Sequence, residues 1–327
     1  MNQPKPPVGR LAPSPTGALH LGHARTFLIA WLAARAGGGR MILRIEDLDA
    51  TRARPWAIDQ AIEDLRWMGL EWDEGPDVGG PHGPYVQSER IGLYRAALEE
   101  LRRKESVYPC TCTRADIERA ASAPHAGEGG PAYPGTCSAR SAGDAQALGD
   151  RPYCWRFRVP DRAISWDDRF LGSVTLEPRR EGDFVVARSN GSFAYQLAVV
   201  VDDATMGINQ VIRGDDLIPS TPRQILLYEA LNRPIPGFGH VPLVVDELGT
   251  RLAKRDGSIK IAAFRETNAD PQWLVGLLAM SCGWADSLML GPPGDWRDRF
   301  DLAEIPRRPW VLPRHLLPER PPPTGKP

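Results

Sequence analysis

The sequence predicts an α/β protein in which helices cover both faces of a parallel sheet. The main observation is that short apolar, strand-like segments alternate with helical segments along much of the chain, a pattern typical of β-α-β units. The second is composition: 327 residues, 42% hydrophobic and 25% charged, suit an ordinary globular protein of one large or two smaller domains. These values exclude a wholly disordered chain, collagen and a coiled coil.

Residues 1–106 form the first half of the predicted sheet domain. Three glycines at 37–39 are a natural end for its first helix, because glycine accepts the left-handed conformation at little cost, and Pro55 suits the first turn of the next helix. The predicted elements are a strand over 8–11, a helix within 19–36, a buried strand over 41–45, and helices over 55–68 and 90–104.

The pattern changes over 107–189, where clustered cysteines, a Gly/Ala/Ser/Pro-rich stretch and short strands such as 154–159 indicate an inserted subdomain. The α/β pattern returns in 190–258. Its helix has a well-marked start, since Thr221 can cap it and Gln224 can complete a capping box. The predicted elements of this second half are a strand over 210–213, a helix beginning at Thr221 and a strand over 241–245.

The C-terminal part is predicted to contain little regular structure. Residues 259–303 form a short helical segment with one helix around 271–283, and residues 304–327 form a tail with eight prolines and little that could pack.

Composition also indicates where the protein resides and how it could bind nucleic acid. The longest apolar runs are eight residues, far short of the roughly 20 that cross a bilayer, and the N-terminus has no apolar stretch that could act as a signal peptide. We therefore expect a cytoplasmic monomer that makes no contact with membranes. The net charge of -1 means that any nucleic-acid binding must come from local basic patches.

Residues 10–23, RLAPSPTGALHLGH, predict a phosphate site. A strand breaks through a Pro/Gly turn and enters a helix at H-x-G-H, and a helix N-terminus presents free N–H groups and partial positive charge to an anion. His20 and His23 can donate hydrogen bonds there, and Gly22 allows close approach to the backbone. The alternative for a bare H-x-G-H is a capped helix with two surface histidines.

Residues 251–258, RLAKRDGS, form a basic loop after the last predicted strand. A flexible lysine near a nucleotide can neutralise the charge on a departing pyrophosphate, and Lys254 is the candidate. Taken alone, such a loop is usually an ordinary solvated one.

Together these motifs resemble those of class I aminoacyl-tRNA synthetases of the glutamyl/glutaminyl branch. Residues 12–23 match the adenylate-binding signature and 251–257 the mobile-loop signature, where Arg251 and Ala253 replace the usual lysine and serine. Two further matches are RIEDLDATR at 44–52 and VIRGDDL at 211–217. The resemblance implies a Rossmann-like catalytic domain with a zinc-binding insertion and a short C-terminal helical segment.

The resemblance also implies the site residues. His20, His23 and Lys254 would be catalytic. ATP, with Mg²⁺, would be bound by Pro13, Thr16, Gly17, His20, Gly22, His23 and Lys254. L-glutamate has two carboxylates and an ammonium, so its site needs two cations and an anion, and arginine binds carboxylates in a planar fork. Its implied ligands are Arg10, Ala12, Ser14, Glu46, Tyr195 and Arg213.

The five cysteines are an odd number without an export signal, which argues against a disulfide framework. Cys110, Cys112 and Cys137 cluster in the sequence, and three thiolates plus a fourth ligand suit Zn²⁺. The residues alone leave Tyr133, Cys154 and His125 open as the fourth ligand, and the resemblance implies Tyr133. The alternative is three unliganded buried cysteines. We expect Cys154 and Cys282 to be small core residues.

The length narrows the function. Full members of this branch carry a large anticodon-binding region after the mobile loop, and residues 259–327 leave no room for one. The resemblance then implies a truncated relative that activates glutamate with ATP, without tRNA, and transfers it to the modified nucleoside queuosine in the anticodon of tRNA(Asp). Leu48, where longer members have threonine, fits this. The alternatives are charging of a tRNA 3′ end, a catalytically silent tRNA-binding paralogue, and a small-molecule nucleotidyltransferase.

Overall fold

The structure is a computed structural model that describes residues 5–120, 132–250 and 260–312. Its helices are α1 (Leu21–Arg35), α2 (Pro55–Trp67), α3 (Ile91–Arg103), α4 (Arg114–Ala120), α5 (Tyr195–Thr205), α6 (Thr221–Ala230), α7 (Ile261–Glu266) and α8 (Pro271–Ser281). Its strands are β1 (Val8–Leu11), β2 (Arg40–Leu43), β3 (Val107–Cys110), β4 (Cys154–Phe157), β5 (Ile164–Asp168), β6 (Gly172–Leu176), β7 (Phe184–Ala187), β8 (Gln210–Gly214), β9 (Gly237–Val241), β10 (Val244–Val245) and β11 (Trp310–Val311).

The strands of the sheet domain pair in parallel, as the sequence predicts. β1 pairs with β2 and β8 pairs with β9, both in parallel register. Asn209, directly before β8, exchanges hydrogen bonds with Val8 at 2.8 and 3.1 Å, which brings the two pairs side by side. The carboxyl ends of β1 and β8 therefore open at the same edge of the sheet, where α/β proteins bind ligands.

Helix α1 crosses this sheet and is nearly all apolar on its buried side. Leu28, Leu32 and Trp31 lie in one apolar core with residues of α8. The helix ends at the predicted glycines: Gly38 has φ +66°, and a Cβ on Gly39 would lie 2.1 Å from the carbonyl oxygen of Pro7. The rigid packing of α1 fixes the position of its N-terminus at the sheet edge.

The inserted segment is mostly antiparallel, in contrast to the sheet domain. β3, β4 and β7 form one antiparallel sheet, and β5 and β6 form a separate hairpin. A second apolar core, which includes Phe157 and Phe184, continues from this sheet into α3 and α5. The insertion is thus packed against the sheet domain.

Helix α6 begins at Thr221, as predicted, but its predicted cap and the strand predicted over 241–245 are wrong. Ser220, not Thr221, is the N-cap of α6, and no side chain caps the helix, because Thr221 and Gln224 bind Arg213 instead. The single strand predicted over 241–245 is two strands, β9 and β10. They are separated at Pro242, which has no N–H for a ladder.

The predicted C-terminal tail is partly folded. Ile305 and Leu312 are 1% and 2% exposed, and β11 pairs in parallel with β10. The expectation that this stretch could not pack is therefore wrong for residues 304–312, whose few apolar side chains cover the edge beyond β10. Residues 313–327 lie outside the described ranges.

None of the helices within the described ranges has the length and apolar content that a membrane span requires.

Candidate active site

A cavity of about 300 Å³ opens where β1 and β8 end and α1 begins. It contains every residue that the sequence suggests for ATP or glutamate and that the structure describes. These are Arg10, Ala12, Pro13, Ser14, Thr16, Gly17, His20, Gly22, His23, Glu46, Tyr195 and Arg213. Lys254 lies outside the described residues. Residues up to 203 positions apart in sequence thus share one pocket of a size suited to a small ligand.

The two histidines form the N-terminal cap of α1. His20 Nδ1 accepts the Gly22 N–H at 3.1 Å, and His23 Nδ1 accepts the His20 N–H at 3.3 Å. The rings stack with their centroids 3.7 Å apart. Because Nδ1 accepts in both rings, the neutral imidazoles carry their proton on Nε2. Each ring can therefore act as a hydrogen-bond donor through Nε2.

Gly22 is required by this stacked pair. A Cβ at position 22 would lie 3.0 Å from the His20 ring, closer than side chains normally approach. The glycine of H-x-G-H therefore makes room for the histidine as well as for a ligand.

Arg10, at the inner face of β1, is one of the two cations of the cavity. It is 6% exposed, its Nη1 donates to the Ile212 carbonyl at 3.3 Å, and its Nε lies 3.7 Å from Asp203 Oδ1. β1 and β8 together therefore fix this guanidinium.

Glu46 supplies the anion and is oriented by its own motif. Arg44 Nη2 donates to Glu46 Oε1 at 2.9 Å, and Arg44 Nη1 donates to Asp203 at 2.6 Å. Burial raises the pKa of Glu46, while the charge and hydrogen bond of Arg44 oppose that rise. Arg44 thus keeps a carboxylate in a buried position next to the cavity.

Arg213, on β8, is the second cation and is 4% exposed. Its Nη1 donates to Gln224 Oε1 and its Nη2 to Thr221 Oγ1, both at 2.8 Å, and its Nε donates to His240 at 3.0 Å. Guanidinium has five N–H groups. Among the described residues, these contacts leave one N–H on each Nη for a ligand. Two adjacent donors are the arrangement that binds a carboxylate.

Tyr195 and Ser14 add hydroxyl groups. Tyr195 is the first residue of α5, and burial followed by the nearby Glu46 charge raises its pKa, so the phenol stays a neutral donor. Ser14 is an exposed residue in the turn after β1. Among the described residues that line the cavity, the predicted glutamate ligands therefore provide neutral donors, two cations and one anion, and Asp216 is a further acid.

Sequence reasoning missed the buried acids behind the cavity. Asp203 neutralises Arg10 and Arg44, while Asp202 accepts from Arg90 at 2.6 Å and from Gln87 at 2.8 Å. Both acids are nearly inaccessible to solvent. Two consecutive aspartates inside an apolar helical run were the available signal, because buried acids require cationic partners.

A second candidate site lies in the insertion. The thiols of Cys110, Cys112 and Cys137 lie within 4.8 Å of one another, with 3.7 Å between the sulfurs of Cys112 and Cys137. Tetrahedral zinc with Zn–S bonds of about 2.3 Å requires sulfurs about 3.8 Å apart. The donor set and its spacing therefore fit Zn²⁺.

Two of the three candidates for a fourth ligand lie beside the cluster: Cys154, which packs against it, and Tyr133. Its Oη lies 3.4 Å from Cys110 Sγ and accepts the Cys137 N–H at 2.8 Å. Cys154 pairs with Cys110 across β3 and β4 but does not belong to the group of mutually close thiols. His125 lies outside the described residues. Cys282 is fully buried in the apolar core, as predicted.

The parallel sheet, the helix N-terminus with two imidazoles and the paired arginines define the class as a nucleotide-binding α/β enzyme. The family model for the catalytic domain of class I tRNA synthetases (E and Q) matches residues 8–288. The chain therefore belongs to this family.

Relatives in this family are close. The chain is 53% identical over 313 residues to the glutamyl-Q tRNA(Asp) synthetase of Symbiobacterium thermophilum, with 94% of this chain and 97% of that protein covered. It is 45% identical to the glutamate–tRNA ligase of Anaeromyxobacter dehalogenans but covers 61% of that protein. The crystal structure of glutamate-tRNA synthetase from Elizabethkingia anophelis superimposes with a TM-score of 0.84 at 30% identity, over 95% of this chain and 69% of that one.

Proposed function

We propose that the protein activates L-glutamate with ATP and transfers it to queuosine in tRNA(Asp). The observation that carries the proposal is the single cavity that combines two buried arginines and Glu46 with the two histidines at the start of α1. The names of three relatives at 47–53% identity, each covered over 96–97% of its length, favour queuosine as the acceptor.

Glutamate fits one wall of the cavity by charge. Arg10 and Arg213 are cations beside the pocket, and each is matched to a carboxylate of the substrate, while Glu46 is matched to the ammonium group. On the far side of the site, the buried Asp203 already pairs with Arg10 and Arg44. The ligand therefore meets oriented donors that need little reorganisation.

ATP fits the opposite wall, where the backbone turns into α1. The N–H groups of a helix start and the Nε2–H groups of His20 and His23 would bind the α-phosphate, and Pro13, Thr16, Gly17 and Gly22 would line the nucleotide. We assign Lys254 to the leaving pyrophosphate. Mg²⁺ bound to the triphosphate would screen its negative charge.

The first step requires no proton transfer. An α-carboxylate oxygen of glutamate attacks the α-phosphorus, the bond to the bridging oxygen breaks, and pyrophosphate leaves with the electron pair. The protein supplies position and electrostatic stabilisation of the charge that develops. In the second step a hydroxyl of the queuosine cyclopentene ring attacks the activated carbonyl, AMP leaves, and the hydroxyl proton passes to solvent.

Pyrophosphate exchange tests the activation step. Purified protein should exchange labelled pyrophosphate into ATP when glutamate is present and no tRNA is added. Absence of exchange would refute activation and favour a catalytically silent paralogue.

Transfer tests the acceptor. Labelled glutamate should appear on queuosine-containing tRNA(Asp) and not on the same tRNA without queuosine. Label on the queuosine-free tRNA, removable from its 3′ end, would instead indicate a tRNA-charging enzyme.

We propose a structural Zn²⁺ held by Cys110, Cys112, Cys137 and Tyr133. Elemental analysis should find one zinc per chain, and Cys112→Ser should lose it, because a missing thiolate opens a closed site. Cys282→Ala, a cysteine remote from the cluster, should retain the metal. Full zinc content in the Cys112 variant would contradict the assignment.

A further inference from the structure

A chain of buried hydrogen bonds continues behind Arg213. The Arg213 Nε–H donates to His240 Nε2 at 3.0 Å, and His240 Nδ1 lies 2.5 Å from Asp168 Oδ2. The side chains of His240 and Asp168 are both fully buried. Asp168 ends β5 of the insertion, whereas Arg213 and His240 lie on β8 and β9.

The donors and acceptors in this chain fix one protonation state. Guanidinium can only donate, so His240 Nε2 must accept and the imidazole proton must lie on Nδ1, facing the carboxylate. Burial lowers the pKa of His240 and so favours the neutral ring. Burial of Asp168 is outweighed by hydrogen bonds from His240 and the backbone, which lower its pKa to about 2.

Asp168 is itself held rigidly. Its Oδ1 accepts the N–H groups of Phe170, Leu171 and His240 at 3.0, 3.0 and 3.1 Å. The tip of the β5–β6 hairpin is therefore fixed against β9, and the carboxylate cannot rotate away from the imidazole without losing these contacts.

Thr221 closes the same arrangement from α6. Its hydroxyl lies 2.8 Å from Arg213 Nη2 and 3.0 Å from His240 Nε2. Arg213 thus donates to three acceptors on two separate elements, α6 and β9, which leaves its guanidinium plane little freedom.

We propose that Asp168 and His240 are positioning residues for glutamate binding, because they hold the Arg213 guanidinium in one orientation through the Nδ1–H tautomer of His240. Neither residue lines the cavity, so both act through Arg213. This inference rests on the proposed role of Arg213 in binding glutamate, and it assigns to the inserted hairpin an indirect part, through Arg213, in shaping the amino-acid site.

Asp168→Asn is the sharpest test. The asparagine carbonyl can keep the backbone contacts, so its amide then donates toward His240 Nδ1. The imidazole proton would then lie on Nε2 and face the Arg213 N–H, so the hydrogen bond between the two residues would be lost. The same wrong tautomer disables serine-protease triads when asparagine replaces their aspartate. Losing a hydrogen bond to a charged group should raise the glutamate KM about 10- to 100-fold, with the ATP KM unchanged.

A spectroscopic readout separates positioning from folding. With ¹⁵N-labelled histidine, the His240 signals should show Nδ1 protonated in the unaltered protein and Nε2 protonated in Asp168→Asn. A protonated Nε2 in the unaltered protein, or an unchanged glutamate KM in the variant, would overturn the inference. If the unaltered protein lacks glutamate-dependent pyrophosphate exchange, the proposed function fails. The tautomer measurement still shows whether His240 accepts from Arg213 and donates to Asp168.

Two variants of Thr221 test the same inference without changing Asp168, in case Asp168→Asn impairs folding of the protein. Thr221→Val removes the hydroxyl at nearly constant shape and should raise the glutamate KM about tenfold, whereas Thr221→Ser keeps the hydroxyl and should restore a normal KM. Equal KM values for the two variants would contradict orientation of Arg213 by its hydrogen-bond partners.

Discussion

The two walls of the proposed active-site cavity, one assigned to phosphate and one to the substrate carboxylates, are built in different ways. The phosphate wall is a continuous stretch, residues 12–23, in which each functional side chain is placed by its near neighbours, as His20 is by Gly22 and His23. The carboxylate wall combines Arg10 and Arg213 from separate strands with acids that are distant in sequence. Local order builds the first wall and tertiary packing builds the second.

This difference has an energetic consequence. The histidines lie at a partly exposed helix terminus, so their removal exposes no buried charge. Arg10 of the carboxylate wall is buried in an ion pair with Asp203, and loss of either partner leaves the other charge uncompensated. We expect changes to the phosphate wall to reduce mainly the reaction rate, and changes to the carboxylate wall to reduce substrate binding or stability.

The largest effect is expected for Arg213→Gln. We propose that Arg213 pairs with a carboxylate of the substrate, and removal of one partner from such a buried, hydrogen-bonded charge pair should lower kcat/KM for glutamate on the order of 10³-fold, chiefly through KM. Exchange rates measured over a series of glutamate concentrations would show this, with the ATP KM as the internal control. An equal rise in both KM values would mean that the two walls do not bind separate substrates.

His23→Ala tests the phosphate wall. Loss of one preorganised donor should slow pyrophosphate exchange about 10²- to 10³-fold, while loss of its contact to the His20 N–H should cost about 1 kcal/mol of unfolding free energy or less. Steady-state exchange and urea unfolding measure the two quantities. An unchanged exchange rate would remove the histidine from the mechanism.

Asp203→Asn tests whether the buried ion pairs behind the carboxylate wall stabilise the fold. It takes the negative charge from between Arg10 and Arg44 and should lower the free energy of unfolding by about 3 kcal/mol. Glu99→Gln is the matched surface control, because Glu99 pairs with Arg102 on an exposed face of α3, and it should change stability by about 0.5 kcal/mol or less. Equal urea midpoints for the two variants would show that burial of the pair does not matter.

The smallest effect is expected outside both walls, at Asp64 on α2. Burial raises its pKa to about 7, although Arg265 lies 3.5 Å away and opposes the shift. The unfolded carboxyl titrates near its usual value of about 4, so the folded state binds the extra proton between these values. Stability should therefore fall as pH rises from about 4 to 7 and stay low above that.

Asp64→Asn should remove this decline and stabilise the protein by about 1–3 kcal/mol at pH values above about 7. Urea unfolding at about pH 5 and pH 8 would measure the difference. A wild-type stability that rises over this interval would contradict the direction of the shift.

The elements that the sequence predicts correctly are those that neighbouring residues determine. β1, the start of α2 and the helix that ends at three glycines are fixed by local patterns, and they lie where the sequence predicts. Thr221 and Gln224 also form a convincing capping pattern, yet both bind Arg213. The capping pattern gave the wrong prediction because Arg213, their partner, lies on β8, which is not part of that pattern. Hydrogen bonds to its buried charge outweigh the gain from one helix cap.

The sequence by itself determined the α/β class, the family resemblance and the residue types of both candidate sites, because motifs and periodicity are local properties. Only the tertiary structure decided that twelve of those residues line one cavity and that Asp203 balances two arginines. It also decided that the inserted hairpin supplies Asp168 to the chain behind Arg213. The physical reason is that buried charges must find partners wherever folding brings them, and those partners leave no pattern in the neighbouring sequence.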